Sequence, residues 1–392
     1  MSDIVYLDNA STTFPKPDVV HDTMREFYRF NGVNPGRSGC ELAQNAGNMV
    51  METRRMFSEF FNPSLVQAGR TKDPDRLVFT LNATMSLNMI IAGLIGPGDH
   101  VITSLLEHNS VIRPVNHKVR KQNAESTFVA PDSRGYLDPE DIRRAIRSNT
   151  KLVIINHGSN VTGVVQDINA IGAVCREHGV PFAIDSAQTA GILPIDMHEA
   201  NVSFLAFTGH KSLFGPSGTG GICVADDAEI ESTIYGGTGI KSADPYQPEE
   251  YPYRLESGTL NLAGIAGMNA GLKWILDEGI ETIHSREMGL LKTLQDGLSA
   301  IPGVTLIGST GLDRRVPTVS IRIKGWNPVD FGAALDERFG VQVRPGLQCA
   351  PLIHEHHGTS PDGTVRFSIG AFNTGEHIDR ALKAVSTLAG EH

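Results

Sequence analysis

From about residue 77 the chain alternates short, unbroken apolar runs with longer segments whose apolar positions recur every three or four residues. The runs "RLVFT" (76–80), "HVITS" (100–104), "STFVA" (126–130), "KLVIINH" (151–157), "PFAIDSA" (181–187), "VSFLAF" (202–207) and "GGICVA" (220–225) predict strands. Segments 83–95, 109–120, 138–147 and 168–179 predict the helices between them. "DPEDIRRAIR" opens on an acidic first turn containing Pro139, Pro114 is placed in the first turns of its helix, and Gly179 closes the last one. Strands without polar alternation are buried on both faces, so the pattern predicts a mostly parallel sheet covered by helices. Such sheets bind ligands beyond the carboxyl ends of their strands. That expectation brings "NH" after 151–155, "DSAQ" after 181–184 and "TGHK" after 202–207 to one rim.

After residue 235 the texture changes. Segment 235–261 is rich in Gly, Pro and Tyr and lacks periodicity, which reads as a long functional loop. Helices at 264–277 and 284–299 follow, then strands at 303–308, 318–323 and 364–369 with helices at 328–339 and 375–389. This pattern predicts a smaller α+β domain, with the helical stretches 18–30 and 41–60 packed beside it. A length of 392 residues also favours two domains.

The formal net charge of −10 argues against nucleic acid or an anionic membrane as the main partner. No apolar run approaches the ~18 residues of a membrane span. The opening "MSDIVYLDNASTT" has neither the basic stretch nor the apolar core of a signal peptide, so a cytoplasmic location is expected. Cys40, Cys175, Cys223 and Cys349 are widely separated, which suggests neither a zinc site nor a disulfide framework.

Candidate chemistry centres on "FTGHKSLFGPSG" (207–218) and its Lys211. A phosphate-binding P-loop needs its glycines ahead of the lysine; here most follow it. An ordinary surface lysine remains one reading. The other is a desolvated, nucleophilic amine that condenses with the aldehyde of pyridoxal phosphate. That cofactor needs a carboxylate on its pyridine nitrogen, and Asp185 at a strand end fits, as it would fit a loop acid or a helix cap. His108 is the candidate flat neighbour for the ring, and Gln188 and Asn160 are candidate donors to the phenolate oxygen. The helix start in "TLNATMS" with Thr84, together with Thr208 and His210, suits a phosphate. Arg366 suits a substrate carboxylate, because a guanidinium matches both its charge and its plane.

The segments "YLDNASTT", "EHNS", "HGSNVTG", "DSAQ", "TGHKSLFGPSGTGG", "ESGTLN", "RPGLQCAP" and "GTVRFSIGAFNT" occur in this order between residues 6 and 374. Together they resemble the class V aminotransferase family, specifically its cysteine desulfurases. The resemblance implies an α/β chain of fold type I for pyridoxal phosphate, a large domain with a seven-stranded, mostly parallel sheet plus a smaller C-terminal α+β domain. The implied division is an active-site segment at 1–17, a helical segment at 18–60, a cofactor-binding domain at 61–262, and a linking helix with the small domain at 263–392.

It further implies that Lys211 forms the Schiff base, His108 stacks on the ring, Asp185 pairs with the pyridinium and Gln188 approaches the phenolate oxygen. Ala83, Thr84, Thr208 and His210 fall at the phosphate, and Thr259 reaches it from the other subunit of a homodimer. Asn160, Arg366, Asn9 and Ala10 fall at the substrate, L-cysteine. Cys349 is the implied nucleophile, leaving L-alanine and a persulfide that passes to an acceptor protein or thiol. The implied reaction uses no metal, nucleic acid or membrane.

Several positions depart from the family pattern. Ala83 replaces a second threonine, Thr208 replaces serine, and Cys40 replaces histidine. The 16 residues between Cys349 and Arg366 suggest a short nucleophile loop, as in the type II, selenocysteine lyase-like group. His354, His356 and His357 read as a metal cluster or as hydrogen-bonded loop histidines, one of which tunes Cys349. Selenocysteine lyase and cysteine sulfinate desulfinase are alternatives that keep the cofactor; a non-catalytic cofactor-binding or sulfur-carrier protein is a third.

Overall fold

The structure, a computed structural model, describes residues 4–35 and 39–391. Gly36, Arg37 and Ser38 of the "GRSGCELA" segment, and the ends of the expected first and last segments, lie outside the described residues. The chain opens with β1 (Val5–Tyr6), α1 (Asp18–Phe30), α2 (Glu41–Phe60) and α3 (Pro63–Gln67). Then come β2 (Leu77–Thr80), α4 (Ala83–Leu94), β3 (His100–Ser104), α5 (Asn109–Gln122), β4 (Glu125–Val129), α6 (Pro139–Ala145), β5 (Thr150–Asn156), α7 (Ile168–Glu177), β6 (Phe182–Asp185), β7 (Phe204–Thr208) and β8 (Gly220–Val224). Every strand and helix expected in this region is present, with ends shifted by a few residues.

These strands form a seven-stranded sheet in the order β2-β8-β7-β6-β5-β3-β4. The neighbours from β7 to β4 run parallel, and β8 runs antiparallel to both β7 and β2. β3, β6, β7 and β8 are buried along their lengths, and β5 at every position but Lys151, as their apolar runs require. One face packs against a cluster containing Phe57, Phe61, Phe207 and Leu213; the other packs against Leu87, Ile90, Val111 and Val115 of α4 and α5.

After the long loop, α8 (Leu262–Glu278) and α9 (Ile280–Ala300) lead into β9 (Val304–Ile307), β10 (Thr318–Ile323), α10 (Pro328–Phe339), β11 (Val341–Gln342), β12 (Arg344–Gly346), α11 (Pro351–His356), β13 (Thr364–Ser368) and α12 (Gly375–Ala389). An antiparallel sheet, β12-β13-β10-β9, forms the smaller α+β unit. The short β12 and α11 were not expected; at three and six residues, neither is long enough to show a period.

One expectation is corrected. Helices α1 and α2 pack on α8 and the large sheet, not beside the smaller unit. The cause is the small-residue face of α8: Ala263, Gly264, Ala266, Gly267, Ala270 and Gly271 let neighbouring backbones approach closely. A Cβ on Gly267 would sit 2.9 Å from Met24 Cγ of α1. α2 adds a buried ion pair, Arg54 to Glu256 at 2.6 Å, beside the Phe79 ring.

The N-terminal segment fastens the two sheets together. β1 pairs parallel with β11, Asp8 bridges to Ser368 at the end of β13, and the Thr13 amide donates to the His210 carbonyl at 3.2 Å. Among the described residues, no helix is long and apolar enough to cross a membrane.

Phe207 is fully buried and stacks on Phe57 at 5.2 Å with Phe61 close by. Phe207→Ala is expected to destabilise the fold by about 3–5 kcal/mol, read as a lowered midpoint of urea unfolding.

Candidate active site

The carboxyl ends of β5, β6 and β7 meet the smaller sheet at a cleft of about 250 Å³. All the site residues singled out from the sequence line it except Asn9 and Thr259. The convergence follows from register: Asn156 of β5 pairs with Asp185 of β6, which pairs with Ala206 of β7, three residues before Gly209. Gly209 is required there, because a Cβ would collide with the Thr219 hydroxyl and Met268 Sδ.

Lys211 follows β7 and presents its amine to this cleft. Its pKa is lowered to about 8, chiefly by removal from water and also by Arg366, with Asp185, Asp8 and Cys349 opposing. The amine therefore has a substantial neutral fraction near neutral pH. Asp185 is buried, and burial raises its pKa against the Ala187 amide and Lys211. Its Oδ1 accepts from the Ala187 N–H at 2.9 Å, and the carboxylate borders the cleft.

α4 supplies the anion-binding end. Asn82 caps it by accepting from the Met85 N–H at 2.9 Å, while Ala83 and Thr84 line the cleft at the helix N-terminus. Free N–H groups and the helix dipole favour a phosphate there. Thr208 and His210 border the same cleft. Burial, then Lys211 and Lys16, hold His210 down at about 4, so its ring is neutral. His108 is neutral for the same reasons: burial first, then Lys211, bring it to about 4. Its Nδ1 accepts from the Ser110 N–H at 3.1 Å, which leaves the proton on Nε2.

Arg366 comes from β13 and is 2 % exposed. It donates to Asp8 Oδ1 at 2.6 Å, Ser11 Oγ at 2.8 Å and the Asn160 carbonyl at 3.0 Å, and its Nε is unpaired. Asp8 thus holds the guanidinium in place, a role the sequence reading did not assign. Asn9 does not reach the cleft: its amide donates to the Ser368 carbonyl and to Asn373, and its Oδ1 accepts from the Phe14 N–H. It ties down the N-terminal segment instead. Ala10 contributes its carbonyl, which accepts from Gln188 Nε2 at 2.9 Å. Thr259 is exposed in the long loop, away from this cleft.

Cys349 is exposed at the cleft near Arg344. Gln348 and Cys349 both have positive φ, 43° and 59°. Two successive non-glycine residues in that region cost on the order of 1–3 kcal/mol each and persist only where surroundings impose them. Here the Cys349 carbonyl accepts from the Asn109 N–H at 2.7 Å, and the Gln348 carbonyl from Asn160 Nδ2 at 2.7 Å.

Besides Asp8, the sequence reading missed Glu107 and Asn156. Glu107 is fully buried beneath the cleft, accepting from Ser104 Oγ at 2.5 Å and from the Asn156 N–H at 2.9 Å. Burial pushes its carboxyl up to about 8. A charged residue directly before His108 was the one available signal. Among the described residues, no three metal-binding side chains cluster, so the metal reading of the histidine run has no geometric support.

The polar groups fit pyridoxal phosphate. Buried Asn156 Oδ1, Asn160 Oδ1 and Arg366 Nε at the cleft have no hydrogen-bond partner. Such groups are costly unless a polar ligand pairs them. A helix N-terminus, a carboxylate and a partly neutral amine surround the same space, matching the phosphate, ring nitrogen and aldehyde.

Comparison with known proteins agrees with this geometry. Residues 5–381 match the family described as Aminotransferase class-V. The chain is 33% identical over 398 residues to a "Probable cysteine desulfurase" of Methanothermobacter thermautotrophicus, covering 100% of this chain and 96% of the relative. It is 30% identical over 391 residues to a "Cysteine desulfurase" of Haloferax volcanii, covering 97% and 88%. It is similar to the apo structure of a cysteine desulfurase from Thermococcus onnurineus, with TM-score 0.91, 30% identity, and 100% and 96% coverage.

The Lys211 environment sets a pH dependence. In cofactor-free protein, acylation of Lys211 is expected to rise with pH with a midpoint near 8, against 10.5 for an ordinary lysine. Asp185→Asn removes the carboxylate that favours the ammonium, so the midpoint moves lower still. Peptide mass spectrometry across pH reads both; a midpoint near 10 would contradict the desolvated amine. Between pH 8 and 10.5 the unfolded chain keeps a proton that folded Lys211 has lost, so this group makes folding more favourable as pH rises through that window.

Proposed function

This chain belongs to the aminotransferase class-V family, and from that premise we propose that it is a cysteine desulfurase converting L-cysteine to L-alanine while leaving a persulfide on Cys349. The observation that carries this reading is the position of Cys349: an exposed thiol at the same cleft as Lys211, Asp185 and Arg366.

Lys211, Asp185, Thr84, Thr208, His210, Gln188 and His108 would hold pyridoxal phosphate. When bound, that cofactor supplies an electrophilic carbon for an amine and a protonated ring that withdraws electrons from the substrate α-carbon. Asp185, buried at the end of β6, would keep the ring nitrogen protonated. Arg366 would bind the substrate carboxylate, with Asp8 and Ser11 fixing its guanidinium and Asn160 flanking it. Lys211 Nζ, with its lowered pKa, is the base for the α-proton of cysteine, a step that commonly contributes about 10²–10⁴-fold. The Cys349 thiolate attacks the substrate sulfur; an S–S bond forms, the Cβ–S bond breaks, and its electron pair remains with carbon, which takes up a proton. The net change is L-cysteine plus Cys349–SH giving L-alanine plus Cys349–S–SH, which balances without an external oxidant. An acceptor thiol then takes the outer sulfur. The exposed Thr259 would complete the phosphate site of a second copy in a homodimer.

The test is alanine formation from L-cysteine by purified, cofactor-loaded protein, with intact-mass detection of one added sulfur on Cys349. Cys349→Ala is expected to abolish alanine formation from cysteine while leaving cofactor absorbance unchanged. Unchanged alanine formation in that variant would reject the reading. Lys211→Ala is expected to lower turnover by about 10²–10⁴-fold or more and to abolish the absorbance of covalently held cofactor.

A further inference from the structure

We propose that His354 is a positioning residue for Cys349, its Nε2–H fixing Gln348 and thereby the left-handed turn that carries the thiol to the cleft. The proposal rests on the desulfurase reading for the role of Cys349, but its geometry stands apart from it.

His354 lies on α11, five residues past the thiol, and is 1 % exposed. Its Nε2 is 3.0 Å from Gln348 Oε1, and its Nδ1 is 2.8 Å from Thr359 Oγ1. Gln348 Nε2 donates to the carbonyls of Arg344 and Thr364, both at 3.1 Å, which fixes the amide's orientation. Its Oε1 can only accept, so the imidazole proton sits on Nε2, and Nδ1 accepts from the Thr359 hydroxyl. The Thr364 hydroxyl donates a second hydrogen bond to the same Oε1 at 3.2 Å. Every hydrogen-bonding position of the Gln348 amide is thereby engaged inside the protein.

The Gln348 backbone is where this network acts. Its carbonyl holds Asn160 at the cleft, and its positive φ passes directly into that of Cys349. The Cys349 carbonyl is held by the Asn109 amide at the start of α5. Without a donor at His354 Nε2, the buried Gln348 oxygen would lose one of its two partners at a turn that is already strained. Burial, then the neighbouring His357, keeps His354 at about 4, so the donor persists in one form across the working pH range. His356 and His357 pack edge to face with each other at 5.2 Å.

A satisfied core histidine would look similar in burial, so the test separates positioning from support. His354→Leu, His354→Gln and Thr359→Val are compared with wild type as full-length, cofactor-loaded protein. His354→Leu is expected to lower kcat for L-cysteine at least tenfold with KM within threefold and cofactor absorbance intact. His354→Gln, which restores a donor toward Oε1, is expected to return kcat to within threefold of wild type. Hydrogen exchange supplies a readout independent of turnover: the Asn109 amide is expected to exchange at least tenfold faster in His354→Leu and near the wild-type rate in His354→Gln. Should His354→Leu not fold, Thr359→Val carries the test, with a roughly threefold loss of kcat and faster Asn109 exchange expected. The proposal is overturned if His354→Leu, or in its absence Thr359→Val, leaves kcat and exchange within twofold of wild type. It is also overturned if His354→Gln fails to restore kcat, or if KM and cofactor absorbance deteriorate along with kcat. A wild-type protein that makes no alanine would refute the desulfurase reading, while the exchange comparison would still decide the role of His354.

Discussion

Everything at this site depends on an amine held out of water. Lys211 lies where the carboxyl ends of β5, β6 and β7 converge, and desolvation is the largest influence on its protonation. Asp185 favours the ammonium and Arg366 the free base, so the two partly offset each other. The burial that makes the amine reactive also raises the pKa of Asp185, and a bound ring carrying a proton would relieve that cost. The large sheet exists to make this possible. A sheet covered on both faces ends in a shielded rim, and a glycine at position 209 leaves room there for Thr219 and Met268.

The second sheet supplies what the first cannot. Arg366 and Cys349 come from the smaller unit, and their positions relative to Lys211 are set by the N-terminal segment. That segment pairs with β11, bridges to Ser368, and donates to the His210 carbonyl from the Thr13 amide, the Thr12 hydroxyl at 3.0 Å and Lys16 Nζ at 2.9 Å. Asp8, in the same segment, keeps a nearly buried guanidinium paired. An unpaired charge at that depth would be strongly unfavourable, so segment and arginine stabilise each other. Asn9 serves the same fastening, which explains why its side chain turns away from the cleft.

Chain-length economy shapes the turn that carries Cys349. Sixteen residues separate Cys349 from Arg366, and they fold back as α11 and a tight return into β13. A loop this short cannot carry the thiol far, so its reach depends on backbone conformation rather than on swinging. The strained turn at Gln348 and Cys349 meets that requirement, and the hydrogen bonds from His354, Thr364, Asn160 and Asn109 hold it.

The strands and the helices between them were legible in the sequence, because each depends on local pattern. Unbroken apolar runs specify buried strands, and a strand end specifies a rim. Lys211, Asp185, Arg366 and Cys349 are recognisable by chemical type within short signatures. The packing of α1 and α2 was not legible, since an amphipathic helix declares that it has a buried face but not which surface covers it; the small-residue face of α8 decided that. Nor were Asp8, Glu107 and Gln348, whose partners lie up to hundreds of residues away in sequence; the histidine run was noted, but not that His354 alone of the three reaches Gln348 by a hydrogen bond. Of their hydrogen bonds, that between Asn160 and the Gln348 carbonyl crosses between the two units, whereas those of Glu107 and His354 form within one; in each case burial turns an ordinary polar side chain into one that must find a particular partner.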